Sequence, residues 1–511
     1  MTASGVGHRA GTTPAADDDA SAAPQGEEPG QPGRRGHGGG HRAEVPRSRR
    51  IAQRLLVGLV VLLLLVGAGT AAVLTAPGLA RRLGLPVSAA VDPPAPVAFV
   101  PRLAALGADA PAPSAAGIAG VLDGRVAGLG DLTGVVLDPA RPQSPLWQRS
   151  PAEPQVPASS TKLLTTAAAL LSLDPTTRFT TTVVAGPTPD SVVLVGGGDP
   201  TLSSLPDGRE SLYAGAAHLD DLVAQVRAAR GGAAPRTVYV DDSRYTGALL
   251  APGWDPADIA GGNLAPMVPV MLDGGRLDPT ALDGTRTATP TEDVGRALGQ
   301  RLGSSTVRVE QGPGAPGARV LGSVASPPLT DLVHTALTNS DNVLAEAIGR
   351  EVARQAGAPA SFDGATSSTT KILSAHGIDV SGVKLSDTSG LSTNDRIPAS
   401  VLAAVLTPAA APLGADPRSS ALRPILDGLP VAAGTGTLAD RYTAGTPNGD
   451  ARGYVRAKTG TLTGTNALAG VVPDVDGRLL VFAFMSNGPD PVGARPRLDA
   501  LAAALRGCGC R

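Results

Sequence analysis

Three short clusters of polar residues in this chain could do chemistry. The first is Ser159-Ser160-Thr161-Lys162. At the start of a helix, positions three apart share a face, so Ser159 and Lys162 point into the same cleft. A serine hydroxyl is a poor nucleophile until something takes its proton. A lysine amine can take it if burial or a nearby cation lowers its pKa. The helix amino end adds a positive potential that favours an oxyanion. The plainer alternative is a helix cap followed by a solvated lysine, with Ser160 as a competing cap. The second cluster is Ser340-Asp341-Asn342. Its hydroxyl and amide, two residues apart on a turn, can relay a proton and hold a carbonyl. The same three residues also make an ordinary helix cap. The third is Lys458-Thr459-Gly460-Thr461, on a predicted strand. It offers a positive charge, hydroxyls for a carboxylate, and a glycine that admits a ligand to the strand edge. Its alternative is a basic strand end.

Residue counts narrow the chemistry. The chain has 43 basic residues, of which only Lys162, Lys371, Lys384 and Lys458 are lysine. Such a bias reflects codon usage, and a lysine that persists against it points to a task arginine cannot perform, such as releasing a proton near neutral pH. Chance is the competing explanation. Of six histidines, His8, His37 and His41 lie in a Gly-rich tail, while His218, His334 and His376 are isolated. No HExxH or paired ligand spacing occurs, so a zinc hydrolase is disfavoured and no metal or cofactor is expected. A Ser-His-Asp triad would need one of the three isolated histidines. The formal charge of −2 across 511 residues gives no field that would attract nucleic acid.

The elements that must position these clusters follow from composition and pattern. A chain of this length exceeds one globular core, so more than one unit is expected. Aromatic residues are 2% of the chain, so the core must be built from Ala, Val and Leu. Residues 1–50 are too polar to order themselves and read as a cytoplasmic tail. From Leu55 to Ala76 run 22 residues without a charge, long enough to cross a bilayer. Arg42, Arg47, Arg49, Arg50 and Arg54 precede this run, and only Arg81 and Arg82 follow closely. The expected arrangement is an anchor over 51–76 with the rest of the chain outside the cell membrane, or alternatively secretion after signal cleavage. Residues 77–113 read as a Pro/Ala-rich linker. Beyond it, helical patterns flank a block of short Val/Thr strands. The reading is one α/β (α+β) domain, discontinuous over 114–180 and 325–506, interrupted by an inserted, mainly β domain over 181–324. Residues 507–511, with Cys508 and Cys510, read as a frayed tail.

Taken together and in this order, S-x-x-K, S-D-N and K-T-G form the three-element signature of serine penicillin-recognising enzymes. The surrounding PASSTKLLT, GGGDPTL (196–202), DDSRYTG (241–247), DTSGLSTNDRI (387–397), GTLADR (436–441) and RAKTGTLTGTNALAG (456–470) extend the likeness. The chain resembles the D-alanyl-D-alanine carboxypeptidase/endopeptidase family, the class-C low-molecular-mass penicillin-binding proteins, over most of 114–505. The resemblance implies a penicillin-binding/β-lactamase-like transpeptidase fold.

It also implies roles. Ser159 attacks the carbonyl of the penultimate D-alanine of a peptidoglycan stem peptide and becomes an acyl-enzyme. Lys162 accepts its proton. Ser340 passes a proton to the leaving nitrogen, with Lys458 keeping the path electropositive. Asn342 holds an amide carbonyl, and Thr459 and Thr461, with Gly460 between them, bind the terminal carboxylate. The backbone N–H groups of Ser159 and Thr461 form the oxyanion hole. β-Lactams are trapped as slow esters at Ser159. In the family the inserted domain can offer a carboxylate to the stem peptide's diamino acid. Asp258, in Gly253-Trp254-Asp255-Pro256-Ala257-Asp258, matches that acid, and Asn263 stands where an aromatic is often found; a solvated loop carboxylate is the other reading of Asp258.

Two other functions fit the same letters. A serine β-lactamase shares fold and motifs, but in the best-known class its fast deacylation uses a glutamate-activated water from a loop between S-D-N and K-T-G. Between Asn342 and Lys458 the only glutamates are Glu346 and Glu351, both just after S-D-N. A catalytically silent wall-binding pseudoenzyme would need only the groove, yet every catalytic position is intact.

Overall fold

The computed structural model describes residues 110–511 except 305–307, 413 and 489–490. The expected tail, the anchor over 51–76 and the linker up to residue 109 lie outside the described residues. Among those described, no helix is long and apolar enough to cross a membrane.

The first of two five-stranded sheets gathers strands from both ends of the chain. Its spatial order is Arg456–Leu462, Thr465–Pro473, Leu479–Asn487, Asp131–Leu137 and Trp147–Arg149, all antiparallel. Because side chains alternate along a strand, each face builds a different core. Val481, Ala483 and Met485 face a helical layer with Leu163, Leu164, Leu344, Ile348 and Leu402. Leu480, Phe482 and Phe484 face the opposite way, onto Ile118, Leu122 and the carboxy-terminal helix through Leu498, Leu501 and Leu505. Leu, Val, Ile and Ala fill the helical layer, while Phe482, Phe484 and Trp147 cluster on the other face.

At the centre of the helical layer runs Lys162–Ser172 (KLLTTAAALLS), rich in the strong helix formers Ala and Leu. It is buried from Lys162 to Leu170, and the polar groups of Lys162, Thr165 and Thr166 within that stretch are all hydrogen-bonded. Leu173 ends it by donating its N–H to the Ala169 carbonyl, and Asp174-Pro175 follows.

The chain leaves this domain after Leu173 and returns near Ser326 along adjacent strands. Thr180–Ala185 pairs with Val320–Ala325. The Ser326 N–H donates to the Phe179 carbonyl and Leu329 N–H to Thr177. An insertion closed at its neck in this way leaves the host domain continuous in space. Its sheet runs Arg308–Gln311, Thr237–Asp241, Ser191–Val195, Thr180–Ala185, Val320–Ala325. The first three are mutually parallel. Parallel neighbours need crossovers, and helices Leu219–Ala229 and Pro290–Arg301 supply them. The insertion is therefore α/β, a correction to the mainly β expectation. Residues 507–511 are a second correction: Cys508 is buried in the core, and the Cys510 carbonyl accepts the Ser114 N–H, so this end is docked and not frayed.

The insertion docks on the helix Asn342–Gln355. Trp254, Leu264, Met267, Val268 and Met271 close over Val343, Ala347 and Phe362, with Trp254 edge-on to Phe362.

Candidate active site

Ser159 stands on a 3₁₀ turn, Ala158–Thr161, that feeds the Lys162–Ser172 helix. The expected α-helical first turn is thus tighter, and it still brings Lys162 Nζ to 2.9 Å from Ser159 Oγ. Ser160 points inward, where its buried hydroxyl donates to the Pro157 carbonyl at 2.6 Å. Ala158 has φ +47, a left-handed conformation that costs a non-glycine residue of order 1–3 kcal/mol. Two glycines let neighbouring segments crowd this turn. A Cβ on Gly460 would lie 2.6 Å from the Pro157 carbonyl oxygen, and one on Gly390 1.9 Å from that of Ala158. The sequence suggested that Gly460 makes room for a ligand; in the fold the serine turn occupies that room.

Ser340 sits between helices Leu329–Thr338 and Asn342–Gln355, again with positive φ (+57). Asp341 caps the second helix by accepting the Leu344 N–H at 3.0 Å. Its other oxygen meets Arg276 at 2.8 Å, Arg286 at 3.6 Å and the Tyr213 hydroxyl at 2.8 Å, all from the insertion. Burial alone would raise this carboxyl's pKa, but the two guanidiniums overcome it and hold Asp341 well below the usual carboxylate range. Asn342 turns the other way: its Oδ1 accepts from Lys162 Nζ at 2.6 Å, and its Nδ2 donates to the Asn263 carbonyl at 2.9 Å.

Lys458 belongs to the edge strand Arg456–Leu462, and its Nζ donates to Ser340 Oγ at 2.9 Å and the Thr459 carbonyl at 2.8 Å. The Thr459 hydroxyl meets that of Thr437 at 2.7 Å. Thr461 is exposed, its hydroxyl donating to Asn466 Oδ1 at 3.2 Å. The cleft therefore contains two lysine–serine pairs, one on each wall. Both lysines have 0% exposure, which removes the solvated-lysine and basic-strand-end alternatives. Burial pushes the Lys162 amine down to about 8, against the pull of Asp387, Asp341, Glu346 and Asp395. Burial and then the Lys162 cation push Lys458 well below its ordinary value.

Asp258 lies on the short helix Ala257–Ala260 at the insertion's edge. Its carboxylate accepts from Asn263 Nδ2 at 3.2 Å, so it reaches the cleft wall through the residue whose carbonyl holds Asn342. Sequence reasoning assigned no role to Thr437, Glu346, Asp387, Asp395 or the Ser389 carbonyl. The last of these accepts from Lys162 Nζ at 2.7 Å. The segments containing Thr437, Asp387, Ser389 and Asp395 were visible as family-like stretches, and only the fold shows what they touch.

The profile of the D-Ala-D-Ala carboxypeptidase 3 (S13) family matches residues 120–288 and 282–506. The chain belongs to this family. It is 46% identical over 470 residues to Carboxypeptidase DacB of Mycolicibacterium smegmatis, covering 91% of this chain and 99% of that protein. It is 27% identical over 467 residues to the D-alanyl-D-alanine carboxypeptidase of Actinomadura sp. strain R39, covering 75% of this chain and 82% of that protein. The fold matches the crystal structure of penicillin binding protein 4 (dacB) from Haemophilus influenzae with a TM-score of 0.58 at 18% identity, over 76% of this chain and 98% of that one. An S13 enzyme is a serine peptidase, and this one is a D-alanyl-D-alanine carboxypeptidase.

Proposed function

We propose that Ser159 is the nucleophile of this carboxypeptidase and that Lys162, in its neutral form, is the base that activates it. The reading rests on the 2.9 Å contact between the Nζ of the fully buried Lys162 and the Oγ of the half-buried Ser159. Ser159 loses its proton to the amine as its oxygen attacks the carbonyl carbon of the penultimate D-alanine. The backbone N–H groups of Ser159 and Thr461 take up the oxyanion charge. Ser340 passes the proton taken up by Lys162 on to the departing D-alanine nitrogen, giving its own and receiving that of Lys162, and Lys458 beside it stabilises the serine oxygen in between. Asn342 orients an amide carbonyl of the substrate. The terminal carboxylate lies against Thr459 and Thr461, with Gly460 between them holding the strand close to the serine turn. Its charge favours the ammonium form of Lys458, which in turn favours the neutral form of Lys162. Water then hydrolyses the ester.

The substrates in this reading are peptidoglycan stem peptides, cut either at D-Ala-D-Ala or at a D-Ala-diamino-acid cross-link, with Asp258 facing the diamino acid's free amine. β-Lactams acylate Ser159. The 51–76 segment is an anchor that leaves the catalytic part outside the membrane; the uncharged run and its asymmetric arginines support this.

The test is to give the purified full-length protein pentapeptide monomers and cross-linked muropeptides and identify products by mass. Loss of one D-alanine and opening of cross-links are both expected. Ser159→Ala should abolish both activities and labelling by a fluorescent penicillin. Lys162→Arg should do nearly as badly, because a guanidinium does not give up its proton. Near-normal labelling of Lys162→Arg would remove the lysine from its role. With nitrocefin, a stoichiometric burst is expected, and sustained turnover would favour a β-lactamase.

A further inference from the structure

Lys162 Nζ touches three oxygens: Ser159 Oγ at 2.9 Å, Asn342 Oδ1 at 2.6 Å and the Ser389 carbonyl at 2.7 Å. A neutral amine has two N–H donors and one lone pair. A peptide carbonyl can only accept. The Asn342 amide is oriented independently, because its Nδ2 must donate to the Asn263 carbonyl, which leaves Oδ1 facing the lysine. Both N–H groups are thereby committed. The lone pair has only the Ser159 hydroxyl to face, which is the direction proton transfer requires. If either acceptor moved, the amine could rotate and present an N–H to Ser159 instead.

Asn342 belongs to the known motif, but the Ser389 carbonyl sits on the loop 387–392, whose backbone is held by buried carboxylates. Glu346, on the Asn342–Gln355 helix, accepts both the Thr388 and Ser389 N–H groups at Oε1, each at 2.8 Å, and the Thr388 hydroxyl at Oε2. Asp387 accepts the Gly390 N–H at 2.6 Å and the Ser392 N–H at 2.7 Å. Asp387 also accepts the Trp254 indole N–H at 2.7 Å, a bond that reaches it from the insertion. From the other side, the Thr165 hydroxyl donates to the Thr388 carbonyl at 2.6 Å.

We propose that Glu346 is a positioning residue for acylation: by gripping the Thr388 and Ser389 amides it aims the Ser389 carbonyl at Lys162 and so turns the amine's lone pair onto Ser159. Asp387 and Trp254 extend the same grip to the inserted domain. The proposal rests on the reading of Lys162 as base. The oxygen at Oε1 does the gripping, while the other oxygen faces the buried Arg350 guanidinium at 3.5 Å, so the loop amides need the acceptor and the charge serves Arg350.

Two variants of Glu346 separate geometry from charge. Glu346→Gln keeps an oxygen for both amides and removes the charge. Glu346→Met keeps the length and removes the acceptor. With a fluorescent penicillin and the full-length protein, Glu346→Gln should acylate within about 3-fold of wild type. Glu346→Met should lose about 100-fold in the acylation rate constant, the scale of a catalytic group displaced by about 1 Å. Its non-covalent β-lactam affinity should not change. If Glu346→Met does not fold, Trp254→Phe takes its place: it preserves the ring contact with Phe362, removes one donor to Asp387, and should slow acylation about 10-fold, again with affinity intact. Wild-type acylation by Glu346→Met, or by Trp254→Phe where that variant stands in for it, overturns the proposal. So does a Glu346→Gln variant as slow as Glu346→Met, which would assign Glu346 an electrostatic role. Lys162→Arg in parallel tells the two levels apart: if it acylates normally the base assignment fails, and if it is inert while Glu346→Met is normal only the positioning fails.

Discussion

Lys162 is the residue whose charge state should be visible in the kinetics. Burial brings its amine down to about 8 even though four carboxylates pull it upward. The base must be neutral, so acylation rises with pH through that value. At pH 6 about one amine in 100 of the free enzyme is neutral, so the second-order acylation rate constant should be about 100-fold below its plateau above about pH 9. Stopped-flow acylation by a fluorescent penicillin at fixed ionic strength from pH 5.5 to 9.5 measures this, and a flat profile would contradict it. At this scale the sequence carried the motif serines, lysines and Asn342, because side-chain type and short spacing are what letters encode. It did not carry the Ser389 carbonyl, since every residue has one. Nor did it mark Glu346 and Asp387, whose oxygens matter only because the fold folds a loop around them. Asp341 lay inside a motif, yet its work is with Arg276 and Arg286, more than 50 positions away in the chain.

Among the elements, the contact that places nucleophile against strand leaves no room for a side chain. Gly460 lies on the Lys458 strand where a Cβ would stand 2.6 Å from the Pro157 carbonyl oxygen and 3.1 Å from the Ala158 Cβ. Backbone cannot swing aside as a flexible side chain can. Gly460→Ala should therefore push strand and serine turn apart, lowering acylation by at least about 10-fold. Overpacking of this kind costs about 1–3 kcal/mol. Labelling rate and thermal melting together check it; an alanine variant with wild-type values in both would mean the turn yields freely. The helical patterns flanking the block of Val/Thr strands were readable beforehand. The helix Pro290–Arg301 was not, because Gly295 and Gly299 weaken its local propensity. The fold explains at least the first: a Cβ on Gly295 would come within 2.8 Å of Val309 and 2.9 Å of Val240, so the glycine lets the helix lie close on the sheet. That missed helix is why the insertion read as mainly β, when its parallel strands require a crossover.

Across the whole described fold, the insertion grips the Asn342–Gln355 helix at both ends. Arg276 and Arg286 hold Asp341 at its amino end, and Arg244 forms a two-point pair with Glu351 near the other. The Asp341 pair is the buried one, with side chains 2% and 1% exposed. Removing one partner of such a pair typically costs about 3–5 kcal/mol, because the remaining charge is left without compensation. Arg276→Met should lose about that much stability at pH 7. Its pH dependence has a definite sign. In the wild type Asp341 titrates below its unfolded value of about 3.9, so its contribution is complete above that pH and fades as acid protonates the unfolded carboxyl. In the variant, Arg286 and the Leu344 N–H still oppose burial but Arg276 no longer does, and the carboxyl takes up a proton more easily. The gap between the two proteins should therefore be widest near neutrality and narrow as pH falls below about 4. Urea unfolding at pH 7 and pH 3.5 measures it. A gap of equal size at both values would mean that the loss comes from the Arg276 guanidinium over the Tyr213 ring, its Cζ 5.3 Å from the ring centroid, and not from the charge on Asp341.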